Sequence, residues 1–155
     1  MKSETGKVLG EDLPGLSKRI REQDQIELKA ASGKPTLVTI RDAYDISEFA
    51  LGIYLNNQLE GIFGVARFLD FEVFGIPWLM TTDKIVECPF VFLKNCPYWI
   101  DKMHDYFPIL FNYVDQRNTT AIKWLSWCGF QFTQTIESYG AAGMPFIEFV
   151  RARYV

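Results

Sequence analysis

The residues able to do acid–base or nucleophilic chemistry are few in this chain of 155 residues, which has one histidine and three cysteines. His104 can serve as a general base by its type. It sits in the polar run Asp101-Lys102-Met103-His104-Asp105, which reads as a solvated helix face. Cys88, Cys96 and Cys128 have no metal-ligand spacing and read as reduced thiols. Cys88 precedes Pro89, where a helix begins, and a helix N-terminus lowers a thiol pKa. No histidine neighbours it in sequence to act as its base.

The elements that must position such residues follow from apolar periodicity. Asp12 and Pro14 open a first helix carrying Leu13, Leu16 and Ile20; Asp24 starts a second stretch that Ser32-Gly33-Lys34-Pro35 stops. Thr36 to Asp45 reads as a third helix, and Lys7 to Gly10 as a strand or a tail. From Glu48 the period changes to two. Glu48 to Leu55, a turn at Asn56-Asn57-Gln58, and Leu59 to Leu69 predict an antiparallel hairpin. Gly61, Gly64 and Gly75 mark bulges or close backbone approach, and Ile76 to Thr81 is a short strand.

A helix is expected from about Pro89 to Tyr106, kinked or broken near Cys96 by Pro97. Ile109 to Val114 reads as a buried strand. Asn118 caps a helix that Gly129 ends after Cys128, and Trp124 and Trp127 on it read as core. Phe130 to Ile136 and Met144 to Val150 are the last strands. The strand–helix–strand middle implies one parallel pair, reached by a crossover, in a mostly antiparallel sheet flanked by helices. The expected class is therefore α+β, as a single domain over residues 1–155.

The composition narrows the function. Apolar residues make up 48% and charged ones 23%, the balance of a soluble globular fold. A net charge of -3 speaks against a general nucleic-acid or anionic-membrane surface, both of which need a basic footprint. No stretch approaches the roughly 18 consecutive apolar residues of a membrane span. Met1 to Gly10 lacks the apolar core of a signal peptide. No metal site is expected.

The element order, with Asn118-x-x-Ala121 and Gly129-Phe130 after the strand Phe111-Asn112-Tyr113-Val114, resembles the GNAT acyltransferase superfamily. A narrower resemblance runs through Glu27 to Gly33, Gly61-Ile62-Phe63-Gly64-Val65, Pro77-Trp78-Leu79, Thr82-Asp83, Asn112 to Asp115 with Arg117-Asn118, and Tyr139-Gly140 with Gly143-x-Pro145-Phe146. Over roughly Asp24 to Arg151 the sequence is similar to the internal virion protein A family of T-seven-like short-tailed phages, itself similar to GNAT proteins.

The GNAT resemblance implies a mixed sheet whose two central strands splay around an acyl-CoA arm. It implies an amine or host-protein acceptor, acetyl-CoA as cofactor, and Asn118 and Ala121 beside the arm. The pyrophosphate loop falls on Thr81 to Pro89. That stretch has no glycine, carries Asp83 and Glu87, and leaves Lys84 with the amides around Thr81 and Thr82 to hold phosphate. The usual donor tyrosine position is Leu125, so Tyr113 and Tyr139 stand as substitutes; Glu60, Asp70 and Glu72 lie where an amine-deprotonating base is often found. Small residues at Gly140-Ala141-Ala142-Gly143 border the implied acceptor site. The phage resemblance implies the host cytoplasm or the virion, and a host or virion protein as partner. Three functions stay open: an N-acetyltransferase, a catalytically silent GNAT-like interaction protein, and a small-molecule binder that reuses the gap.

Overall fold

The computed structural model describes residues 1–153; residues 154 and 155 lie outside it. One seven-stranded sheet carries the fold, in the order β1-β2-β3-β4-β5-β7-β6. Its strands are β1 (Ser3–Gly6), β2 (Ser47–Leu55), β3 (Gln58–Arg67), β4 (Phe74–Thr81), β5 (Ile109–Asp115), β6 (Gln131–Tyr139) and β7 (Met144–Ala152). Every neighbouring pair is antiparallel except β4 and β5. The hairpin, the single parallel pair and the mixed α+β class are as the periodicity predicts. β1 is an addition, lying just before the Lys7–Gly10 stretch that reads as a strand or tail.

Helices α1 (Leu13–Arg19), α2 (Glu22–Ser32) and α3 (Thr36–Ile46) cover one face. There Leu13, Leu16, Ile20 and Ile40 pack on Leu59, Ile62 and Met80. The side chain of Asp12 caps nothing, because a 3-10 turn over Gly10–Asp12 leads straight into α1. On the other face lie α4 (Asp83–Glu87), α5 (Pro89–Leu93), α6 (Cys96–Tyr106) and α7 (Thr119–Trp127). The long helix expected from Pro89 is two pieces, with Pro97 in the first turn of α6, where a missing N–H costs nothing. A second apolar cluster joins Phe63, Val65, Ile100, Met103, Leu110 and Phe149 beneath α6 and α7.

The parallel pair is short for a reason legible in its backbone. Odd-numbered residues of β4 turn their polar groups toward β5, as Ile109 N–H donating to Val73 O (3.1 Å) shows; even ones face β3, as Phe68 N–H donating to Phe74 O (3.0 Å) shows. Pairing holds at Phe74–Ile109 and Gly75–Leu110 and then stops. The next odd residue is Pro77, which has no N–H to give. Its carbonyl accepts instead from Asn112 Nδ2 (2.9 Å), and Asn112 Oδ1 accepts from Tyr113 N–H (2.8 Å). A side chain has replaced a rung, and beyond it the strands part.

Candidate functional site

A cavity of about 280 Å³ occupies the gap between the splayed halves of β4 and β5 and is lined from both faces of the sheet. On the α1–α3 side it meets Glu27, Trp78, Tyr113 and Tyr139; on the α5–α7 side Phe63, Ile100, Leu125 and Phe149. The alternation along β4 turns the N–H and C=O of Leu79 into this gap, where β5 no longer reaches them.

The gap's far end is closed by a buried polar knot that the sequence did not suggest. Arg21 N–H donates to Thr81 O (2.9 Å), so the α1–α2 junction takes up the last β4 carbonyl that β5 leaves unpaired. The Arg21 guanidinium donates to both Asp24 carboxylate oxygens (2.9 and 3.1 Å) and to Asn118 Oδ1 (2.9 Å); Asn118 Nδ2 donates to Asp24 (3.0 Å). It also lies over the Trp124 ring, 5.8 Å from its centre. All three polar residues are buried. A charge pair out of water is tolerated only when its hydrogen bonds are met, and these are.

Each expected site residue has a definite place. Asn118 caps α7 as expected, accepting from Ala121 N–H (3.4 Å), but it is fully buried and its amide is engaged by Arg21 and Asp24. Ala121 lines the cavity. Thr81 does too, with its buried hydroxyl unpartnered. Thr82 is turned away: its N–H donates to Glu60 O (2.8 Å) and its hydroxyl to the Glu60 carboxylate. Lys84 is exposed and pairs with Glu87 (3.3 Å). Within the glycine-free segment lies the short helix α4, with Asp83 in its first turn, where its charge opposes a phosphate.

Tyr113 and Tyr139 stand side by side in the gap, ring centres 4.8 Å apart. Tyr113 donates to Glu148 (3.0 Å). Burial raises both phenols, with Glu148 adding to the effect on Tyr113 and Glu27 to that on Tyr139. Glu60 is buried and bound by Arg19 (2.9 Å) and Thr82, which occupies it as a base. Asp70 and Glu72 are exposed in the β3–β4 loop, and neither lines the cavity.

Glu27 is the group that sequence reading missed. It lies on α2 at the cavity wall, and its Oε1 accepts from Asp115 N–H (2.7 Å). Burial pushes its carboxyl up to about 8; the Asp115 amide opposes this and the Asp24 charge adds to it. The one hint was its position three residues after Asp24 on the same helix face.

Two readings need correction, at His104 and Trp127. His104 is not solvated: it is buried, with Nδ1 against Phe107 O (3.0 Å), and burial lowers its pKa. Trp127 is 55% exposed where core was expected, while Trp124 touches Phe92 of α5, ring centres 5.0 Å apart. Cys88 is the N-cap residue of α5, which begins at Pro89 as expected and is a helix of one turn. The Gly140–Gly143 turn is a docked one: Ala141 and Ala142 N–H donate to Ala31 O and Ala30 O at the end of α2 (3.1 and 3.0 Å). Gly140 has φ +67°, and a Cβ there would meet Ala31 O at 2.6 Å, so glycine is required twice over. All three cysteines are free, and the Cys96 thiol is raised by its hydrogen bond to Cys128 and by burial.

No protein-family model matches the sequence, and no curated protein aligns with it. Solved structures do match in shape. A GNAT-family acetyltransferase from Bacillus anthracis superposes with a TM-score of 0.72 at 9% identity, over 100% of this chain and 97% of that one. The chain has the GNAT acyltransferase fold. The ribosomal-protein-S18-alanine N-acetyltransferase of Escherichia coli matches at 0.68 and 13% identity, over 99% and 96%. Spermidine N-acetyltransferase from Vibrio cholerae, solved with CoA and spermine, matches at 0.68 and 11%, over 97% and 95%. Among the described residues no helix is long and apolar enough to cross a membrane, and no cluster of His, Cys, Asp and Glu could hold a metal.

Proposed function

We propose that this protein is an N-acyltransferase that moves an acyl group from a thioester to an amine. The observation that supports it most is the cavity through the β4–β5 gap, with the free Leu79 edge on one wall and Glu27 on the other. An arm carrying amides pairs with Leu79 as a strand would, which sets the thioester in the gap. The amine comes from the α2 side as an ammonium and gives one proton to Glu27. Its nitrogen then attacks the thioester carbon, the C–N bond forms and the C–S bond breaks. The second nitrogen proton reaches the departing thiolate through Tyr139, whose raised phenol returns the proton it gives. A proton affinity near neutrality suits Glu27 to this exchange.

Binding of the donor rests mainly on its arm and acyl group, because Asp83 opens α4 with a negative charge and Lys84 is paired with Glu87. Acetyl-CoA is the simplest donor to test. A phage setting, with an amine on a host protein as acceptor and the host cytoplasm or virion as location, rests on the sequence resemblance alone.

A silent interaction protein is the second reading. It is favoured by the Phe92–Trp124 contact across α5 and α7, and by Asn118 being enclosed by Arg21 and Asp24. The two readings part on turnover. Thiol release from acyl-CoA with an amine panel, abolished in Glu27→Gln at pH 7.5, supports transfer. Absence of turnover with every acyl-CoA and amine in the panel leaves the silent reading.

A further inference from the structure

The cavity does not end at the gap. On the α5–α7 face it continues beneath α5 and α6 across β3 and β2, past Phe63 and Ile53, to Ser3 and Thr5 of β1. Those residues share a face by register: Ser3 pairs with Leu55 and Thr5 with Ile53 in the antiparallel β1–β2 ladder. Phe63, Ile100 and Met103 form an apolar wall, with Trp99 stacked edge-on against Phe63, ring centres 5.2 Å apart.

We propose that this tunnel holds a linear acyl chain, making the preferred donor a medium-chain acyl thioester, not an acetyl one. The proposal rests on the N-acyltransferase reading for its chemistry, and on the tunnel's shape for its substrate. Three strand spacings separate β1 from β4, about 14 Å. A methylene fills about the room of a water, ~30 Å³, so the whole cavity of 280 Å³, gap included, sets an upper bound of roughly nine. The span and the volume together bound the chain at a medium length, no more than about ten carbons. Polar residues stand where such a chain would end. Thr5 is exposed, so the tunnel meets solvent there and the length limit is soft. The weak phosphate end points the same way: Asp83 opens α4 and Lys84 is paired with Glu87. A donor deprived of phosphate contacts needs another source of affinity, and each buried CH₂ supplies about fourfold.

The test is a chain-length series, acetyl-, butyryl-, octanoyl-, decanoyl- and dodecanoyl-CoA, by calorimetry on the full chain. Beside it, free decanoate is used to displace a fluorescent fatty acid. The expected result is affinity rising about fourfold per CH₂ to eight to ten carbons and then levelling, with displacement by decanoate but not by butyrate. Equal affinity from acetyl to decanoyl, or no displacement by decanoate, overturns the proposal. Turnover of acetyl-CoA with no gain from chain length overturns it too, while N-acyl transfer stands. Displacement by decanoate without any turnover upholds the tunnel and removes the transferase reading. Ile53→Phe narrows the β2 end and is expected to bring the plateau down to about six carbons; a folded variant with an unchanged plateau refutes this route. If that variant does not fold, the series on the native chain decides.

Discussion

Glu27 makes the fold itself sensitive to pH in a direction opposite to most surface carboxylates. Its carboxyl stands at about 8 in the folded protein against 4.5 when free. The folded state therefore holds this proton over a range where the unfolded chain has lost it. Stability from this group is full below about pH 4.5, falls as pH rises, and levels off above about 8. At ~1.4 kcal/mol per tenfold change in proton affinity, the whole fall is about 5 kcal/mol, an upper bound because the cavity admits water.

Glu27→Gln keeps an oxygen for the Asp115 N–H and removes the titration. Thermal unfolding of both proteins from pH 5 to 9 measures the effect. The glutamine variant is expected to gain relative to the native chain as pH rises, by roughly 10 °C at pH 8.5, taking 2–4 °C per kcal/mol for a chain of this size. His104 titrates in both proteins. Burial lowers its pKa, so stability from it is lost as pH falls, and it cancels in the difference. Parallel Tm curves, or a glutamine variant that is the less stable one at pH 8.5, would refute the account of a strained carboxylate.

Other substitutions probe the frame around the site. Arg21→Met leaves Asp24 charged and buried and Asn118 short of a partner; denaturant unfolding should show a loss of about 3–5 kcal/mol. Asp24→Asn in the same background should recover part of it. Gly75→Ala puts a methyl group into the buried Phe107 ring where β4 and β5 still pair, so a loss of about 1–3 kcal/mol in chemical denaturation is expected. Pro77→Ala restores a backbone donor opposite β5. Hydrogen exchange at 79 should slow as the ladder lengthens, and donor affinity should fall as the gap narrows; exchange at 79 that stays fast counts against proline as the cause of the splay.

Much of the frame was legible because it depends on local signals. Asn118 and Gly129 bracket α7 through cap chemistry, and Gly129 indeed takes φ +84°. Pro97 splits the long helix as proline must. β1 escaped because Ser3–Gly6 has no apolar alternation to display; it is held by the edge of β2. His104 was misjudged because its sequence neighbours are charged, whereas helix geometry aligns it with Cys96, Ile100 and Met103 on the buried side of α6. The period decided, and the neighbours misled. Glu27 and the Arg21 knot were beyond local reading: the knot joins residues 94 and 97 positions apart, and a carboxyl's proton affinity depends on what the fold packs around it.

The same locality explains why the fold survives where the usual phosphate site does not. The splay needs one missing donor at Pro77 and one side chain, Asn112, to satisfy the carbonyl left over. Neither requires a cofactor, so the gap exists whatever occupies it. A phosphate cradle needs a run of unpaired amides, and here the Thr82 amide is given to Glu60 and the following residues coil into α4. The first arrangement is part of what holds the sheet together. The second is separable from it, and its replacement by a short helix with Asp83 in its first turn moves the demand for affinity from the charged end of a donor to its apolar end. A tunnel under α5 and α6 is where that demand can be met, through buried area and not through charge. Donor binding should then change little between 0.05 and 0.5 M salt, where a phosphate-anchored donor would weaken with screening. A steep salt dependence, measured on decanoyl-CoA by calorimetry, would return the affinity to the phosphates and leave the tunnel without its purpose.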